Sequence, residues 1–178
     1  MMLTILGIIA GIIVVLLIVA AISPKGYSLQ RTIEINKPVT DVFDYVKHLK
    51  NQDHYNKWVM TDPGMKKVFT GTDGTSGFIY AWDSEMKNAG KGEQEILSIM
   101  PNQELKYEVR FIKPFAAIAP SYIKTEALTD GTTNVTWGFA SKMPYPMNIV
   151  MLFMNMEAML GKDMDTSLNN LKSILESR

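Results

Sequence analysis

The chain predicts an α+β fold: a curved antiparallel sheet around a long C-terminal helix, preceded by one N-terminal transmembrane helix. Three observations carry this expectation. Residues 3–22 read LTILGIIAGIIVVLLIVAAI, a run without a charge. Between Lys66 and Ser141, short segments of alternating polarity follow one another across turns rich in Gly, Pro and Asn, the mark of consecutive antiparallel strands. From Met147 to Leu175, apolar residues recur every three or four positions, which is the period of a helix. Strands grouped together, with helices kept to one face, give α+β.

The first element is the apolar run. At 1.5 Å rise per residue it spans ~30 Å as a helix, the thickness of a bilayer's hydrocarbon core. A secretory signal peptide is the competing reading, with Val19-Ala20-Ala21 as a cleavage-like triplet. Such peptides want a basic leading region and an apolar stretch of only about 7–15 residues. Nothing basic precedes this run, so residues 1–22 read as a retained anchor. Lys25, Arg31 and Lys37 all follow it, which by the positive-inside rule puts the soluble part in the cytoplasm. Ser23-Pro24-Lys25-Gly26 breaks the helix, residues 23–27 form a linker, and residues 28–178 form one domain. A linker this short reaches no more than about 17 Å, so the domain sits close to the headgroups.

Ser28 to Ile35 alternates, with Leu29, Arg31, Ile33 and Ile35 on one side, and is a half-buried strand. Asn36-Lys37-Pro38 opens a helix, with Asn36 or Lys37 at the cap and Pro38 in the first turn. Val39, Val42, Phe43, Val46 and Leu49 make its buried stripe. Asn51 to Trp58 reads as a short second helix or turn, and Asp62-Pro63-Gly64 as a turn. Strands follow at Lys66–Thr70, Gly77–Ser84, Gly92–Ile99, Leu105–Phe111, Tyr122–Leu128 and Thr133–Ser141, the last pair joined by an Asp130-Gly131 hairpin signal. A single helix is expected from Met147 to Glu176, with Gly161 in its middle allowing close approach to the sheet or a bend.

Composition narrows the chemistry. About 155 residues remain after the anchor, enough for one core. Basic and acidic residues balance at 18 each, which gives no footprint for a nucleic acid. There is no cysteine, which removes disulfides, thiolate catalysis and the usual structural zinc sites. Asp41, Asp44 and His48 share a helical face with Asp53-His54 nearby, but a solvated face accounts for them, and no fixed metal-ligand set is present. Glu93 and Glu95 lie on one side of a strand and, with Arg110, are the only candidates for acid–base work. Period-two alternation makes them an outer face just as readily. No nucleophile elbow, GxGxxG or Walker pattern occurs, so no cofactor is expected.

The expected arrangement leaves a space between sheet and helix. Phe78, Tyr80, Trp82, Tyr107, Val109, Phe111, Trp137 and Phe139 are predicted to face it, with Met147, Met151 and Met154 opposite. A solid aromatic core is the alternative. Tyrosine and tryptophan carry polar groups that need partners when buried, and methionine adapts to variable apolar guests. Of thirteen methionines, seven fall between Met143 and Met164. The segment from Met143 to Met154 is apolar almost all round, which fits burial, a dimer interface or a lid touching the bilayer. Lys113 to Ser121 is the candidate gate.

Several local patterns together resemble a known family. They are Ile33-Glu34-Ile35-Asn36-Lys37-Pro38-Val39-Thr40-Asp41-Val42-Phe43, Trp58 followed by Asp62-Pro63, and Gly77 through Tyr80 to Trp82. Gly90 with Gly92, Phe111-Ile112-Lys113-Pro114-Phe115 and Val135-Thr136-Trp137 come next, then Gly161-Lys162-Asp163 with Leu168 and Leu171-Lys172. Over residues 28–176 the chain resembles the polyketide cyclase/dehydrase family of the START-like (SRPBCC, birch-pollen-allergen-like) superfamily. The resemblance implies a helix-grip fold around an apolar cavity that takes a lipid or other hydrophobic molecule. With the anchor, it gives a membrane-anchored binding domain for an apolar small molecule or lipid. The alternatives are a cyclase- or dehydratase-type enzyme in the same cavity and a protein-interaction module using the Met-rich helix.

Overall fold

Alternating polarity and turn residues produce seven strands that pair into one antiparallel sheet in the order β1-β7-β6-β5-β4-β3-β2. The computed structural model describes residues 2–86, 89–129 and 131–177. It opens with helix α1 (Met2–Ile22), in which only Ala20 is buried. This helix is long and apolar enough to cross a membrane, a property that a signal sequence shares. Strand β1 (Gly26–Ile35) starts before the expected Ser28, because Gly26 already pairs with Lys142.

Helix α2 (Val39–Val46) buries Val42, Phe43 and Val46 as its spacing requires. Pro38 itself occupies the cap position. Its carbonyl accepts the first helical bond, from the Val42 N–H at 3.1 Å, so Asn36 and Lys37 lie outside the helix. A 3₁₀ turn (Leu49–Asn51) and two short helices, α3 (Gln52–Tyr55) and α4 (Lys57–Met60), occupy the polar–aromatic stretch. Then come β2 (Lys66–Thr70), β3 (Ile79–Asp83), β4 (Lys91–Met100), β5 (Glu104–Lys113), β6 (Ala117–Thr129) and β7 (Thr132–Lys142). Asp130, half of the expected hairpin signal, lies outside the described residues. Val46, Leu49, Ile96, Leu105, Val135 and Leu171 are fully buried between sheet and helices, each contributing about 1.5–3 kcal/mol.

Two boundaries differ from expectation. Strand β6 begins at Ala117, five residues before Tyr122, so most of the candidate gate is strand. Its Pro120 is tolerated because the paired register with β7 begins only at Ser121, leaving that edge without a ladder bond for proline to disrupt. The expected helix from Met147 is two elements, a 3₁₀ helix (Met147–Leu152) and α5 (Met156–Glu176). Asn155 separates them by capping α5, its side-chain oxygen accepting from the Ala158 N–H at 2.9 Å. Upstream, buried Asn148 donates from Nδ2 to the carbonyls of Ala20 (2.7 Å), Ser23 (3.3 Å) and Pro24 (3.3 Å). That bond set holds the methionine-rich segment against the end of α1.

Gly161 does allow close approach. A Cβ there would lie 2.0 Å from an Arg31 guanidinium nitrogen. Arg31 passes beneath the helix at that point and reaches Asp165 (3.3 Å) and Glu157 (3.4 Å).

Candidate functional site: an aromatic cavity under the C-terminal helix

Inward-facing positions on five strands leave a cavity of about 240 Å³ beneath α5 and α3–α4. For scale, an apolar cavity of about 150 Å³ holds a benzene molecule. The sheet contributes Trp82, Gln94, Tyr107, Val109, Phe111, Ser121, Trp137 and Phe139. Asn56, Trp58, Val59, Met65, Ala89 and Leu160 close the other sides. All three tryptophans of the chain are in this wall.

Local structure sets each ring. Trp82, Gly92 and Phe111 are successive cross-strand partners, and Gly92 is what makes room: a Cβ there would sit 2.7 Å from the Trp82 ring. Across that gap Trp82 and Phe111 meet edge-to-face at 6.2 Å, and the Trp82 indole N–H donates to the Ala89 carbonyl at 2.9 Å. Trp58, presented by α4, meets Trp137 edge-to-face at 5.8 Å. Such pairs add about 0.5–1.5 kcal/mol beyond the area they bury.

The polar groups of the wall fall into two sets. Gln94 and Gln52 form a reciprocal amide pair at 3.1 Å, and Asn56 donates to Gln52 at 2.8 Å. These amides are satisfied within the protein. The second set is Trp137, Tyr107 and Ser121, all buried. Burial pushes the Tyr107 phenol well above its ordinary range, outweighing the opposite pull of the Trp137 and Ser121 side chains. The buried Trp137 indole N–H makes no hydrogen bond of full geometry and has the Tyr107 hydroxyl as its polar neighbour. An under-satisfied donor on an apolar wall is a place where a ligand oxygen would be favoured.

Of the residues expected to face the space, Trp82, Tyr107, Val109, Phe111, Trp137 and Phe139 line it. Phe78 and Tyr80 do not. They are core residues packed on Phe69, and the Tyr80 hydroxyl donates to Asp53 at 2.7 Å. Met147, Met151 and Met154 also lie outside the lining, because the helix that was to carry them starts only at Met156. Asn56, Trp58, Val59, Met65, Ala89, Gln94, Ser121 and Leu160 were missed. Gln94 could have been found, since alternation puts it on the same face as Gly92 and Ile96; the short helices gave no comparable signal.

The remaining candidate chemistry is dispersed. Arg110 sits on the opposite face of the sheet, bridging Glu93 (2.7 Å), Glu95 (2.7 Å) and Glu108 (3.1 Å), which hold its guanidinium strongly protonated. Asp44 pairs with Lys47, His48 lies 3.7 Å from Asp73, and His54 meets the Tyr45 hydroxyl at 3.2 Å. Among the described residues no group of three or more His, Asp or Glu side chains is placed to hold a metal ion.

A family described as polyketide cyclase / dehydrase and lipid transport matches residues 27–176. No curated protein matches the sequence. Among solved structures, norcoclaurine synthase from Thalictrum flavum, in complex with dopamine and hydroxybenzaldehyde, superposes with a TM-score of 0.62 at 11% identity, covering 90% of this chain and 92% of that one. Ara h 8.0201 gives 0.58 at 12% identity, covering 86% and 99%. An uncharacterised protein from Rhizobium leguminosarum gives 0.58 at 14% identity, covering 86% and 97%. At these identities the likeness is one of fold, the helix-grip arrangement.

Proposed function

The chain belongs to the polyketide cyclase / dehydrase and lipid transport family, and from that premise we propose that it binds an apolar or amphipathic small molecule, such as a lipid, in the aromatic cavity while α1 ties it to a membrane. The observation that carries this reading is the cavity itself: about 240 Å³ walled by six aromatic side chains, with a buried indole N–H that has only the Tyr107 hydroxyl beside it. A ligand hiding about 200 Å² of apolar surface there gains about 5 kcal/mol before the costs of association are subtracted. Trp137, with Tyr107 and Ser121 beside it, fixes the polar end of the ligand, and an oxygen acceptor fits that position. Trp82, Val109, Phe111 and Phe139 contact the apolar body.

The test is native mass spectrometry of the full chain released from detergent micelles, alongside Val109→Trp, which fills the cavity. A small molecule retained by the first and absent from a folded Val109→Trp supports the reading and names the ligand class. A molecule retained equally by both places the ligand outside the cavity and refutes it.

A further inference from the structure

Strand register gathers one end of the sheet around the foot of α1. Gly26 lies opposite Lys142, Ala117 opposite Phe111, and Lys113 opposite Lys91, which continues through Asp83 to Lys66. Ser141 joins the series by donating its hydroxyl to the Ile118 carbonyl at 3.5 Å. The β5–β6 hairpin tip at residues 114–116 and the segment 143–154 after β7 therefore leave the sheet at the end where α1 enters it.

The connection to α1 is short and hydrogen-bonded. Only Ser23, Pro24 and Lys25 separate α1 from β1. Buried Asn148 donates to three carbonyls at the helix end, and the Met143 N–H donates to Lys25 at 3.0 Å. The orientation of this end of the domain is thus set by the direction of the helix.

The same end is apolar and basic. Outside α1, the two most exposed large apolar side chains among the described residues are Phe153 (81%) and Phe115 (73%), one on each loop. Tyr145, Met147 and Leu152 are about half exposed beside them. Lys25, Lys66, Lys113 and Lys142 are exposed around these groups. The acidic groups near this end include Asp62, Asp83, Glu85 and Glu157, of which Asp83 is paired with Lys91, Glu157 with Arg31, and Asp62 accepts from Ser84. Scattered exposed apolar residues are ordinary; aromatics clustered on two loops and ringed by lysines match a bilayer interface, where rings sit at headgroup depth and lysines meet anionic lipid.

We infer that this end of the domain, through Phe115 and Phe153 with their lysine ring, seats in the headgroup layer of an anionic bilayer beside α1. The inference rests on the reading of α1 as a membrane span. The cavity wall nearest this end is Trp82, Ala89 and Phe111, the side that a seated domain turns towards the bilayer.

The absence of cysteine makes the test direct. Single-cysteine variants F115C, F153C, T72C and I12C of the full chain are labelled with an environment-sensitive fluorophore. They are reconstituted into phosphatidylcholine–phosphatidylglycerol vesicles carrying either headgroup-depth or acyl-depth nitroxide quenchers. Thr72 is on the β2–β3 turn, at the opposite end of the sheet, and Ile12 is midway along α1. The expected result is loss of most fluorescence at 115 and 153 with the headgroup quencher, loss at 12 with the deep quencher, and no loss at 72. If 12 is quenched while 115 and 153 behave like 72, the seating is refuted and the apolar patch is left to a protein partner. Should 12 also escape quenching, the membrane-span reading fails with it.

Discussion

Replacing Trp137 with phenylalanine separates a ligand-anchoring donor from an ordinary core aromatic. The indole N–H is buried with no hydrogen bond of full geometry and only the Tyr107 hydroxyl beside it, and an under-satisfied buried donor costs a folded protein up to about 1–3 kcal/mol. Phenylalanine removes that cost together with part of the ring, and the lost packing destabilises by a similar amount. Net stability of the empty protein should therefore barely change, with a Tm shift within about 4 °C. Binding should change selectively. A carbonyl oxygen meeting the N–H gains about 0.5–1.5 kcal/mol net, which is about two- to tenfold in affinity. The assay titrates both proteins with undecane and 2-undecanone, following the fluorescence of Trp58 and Trp82 in the same wall. The ratio of ketone to alkane affinity should fall by about two- to tenfold in Trp137→Phe, with alkane binding nearly constant. An unchanged ratio would refute the reasoning. So would a stability loss above about 2 kcal/mol, because it would mean the N–H is already bonded in the folded protein.

Gly92→Ala brings a Cβ within 2.6 Å of the Arg110 carbonyl oxygen and 2.7 Å of the Trp82 ring; urea unfolding should show a loss of about 1–3 kcal/mol, with weaker ligand binding as the indole is displaced. Tyr55, Tyr80 and Tyr107 are all held above the ordinary phenol value of 10.0, by burial first and, for Tyr80, by its bond to Asp53 as well. Unfolded phenols then lose protons before folded ones, so Tm should be level below about pH 10 and fall as pH rises beyond it, less steeply in Tyr80→Phe. A Tm that stays level through that range would show the phenols to be solvated. Asn148→Ala leaves three carbonyls at the foot of α1 without their donor; hydrogen exchange should quicken across residues 143–152 while β5 keeps its protection.

The order of elements and the inward faces of the strands were readable because alternation and turn chemistry are local. Tyr107, Val109 and Phe111 follow from period two alone, and so does the outward placement of Glu93 and Arg110. What failed depended on distant partners. Periodicity continued from Met147 into α5, but the break at Asn155 depends on a cap, and Asn148 is drawn off by carbonyls more than a hundred residues away. Gln52 and Asn56 carry no local signal of burial; with Gln94 they are buried because each supplies what the others lack. Phe78 and Tyr80 share the inward face with Trp82, but Tyr80 is claimed by Asp53 and both rings by Phe69.

The slot at Gly161 has a mechanical consequence. One helical turn away on either side stand Glu157 and Asp165, the same residues that hold the Arg31 guanidinium. Sliding α5 by a turn would put a carboxylate-bearing side chain where the guanidinium now passes, with no hydrogen-only position to replace Gly161. The helix is indexed against the sheet like a keyed shaft. The roof of the cavity, carried by Leu160 next to the key, stays at one height whatever residues line the walls, so the lining is free to vary in shape while the depth of the chamber is held constant.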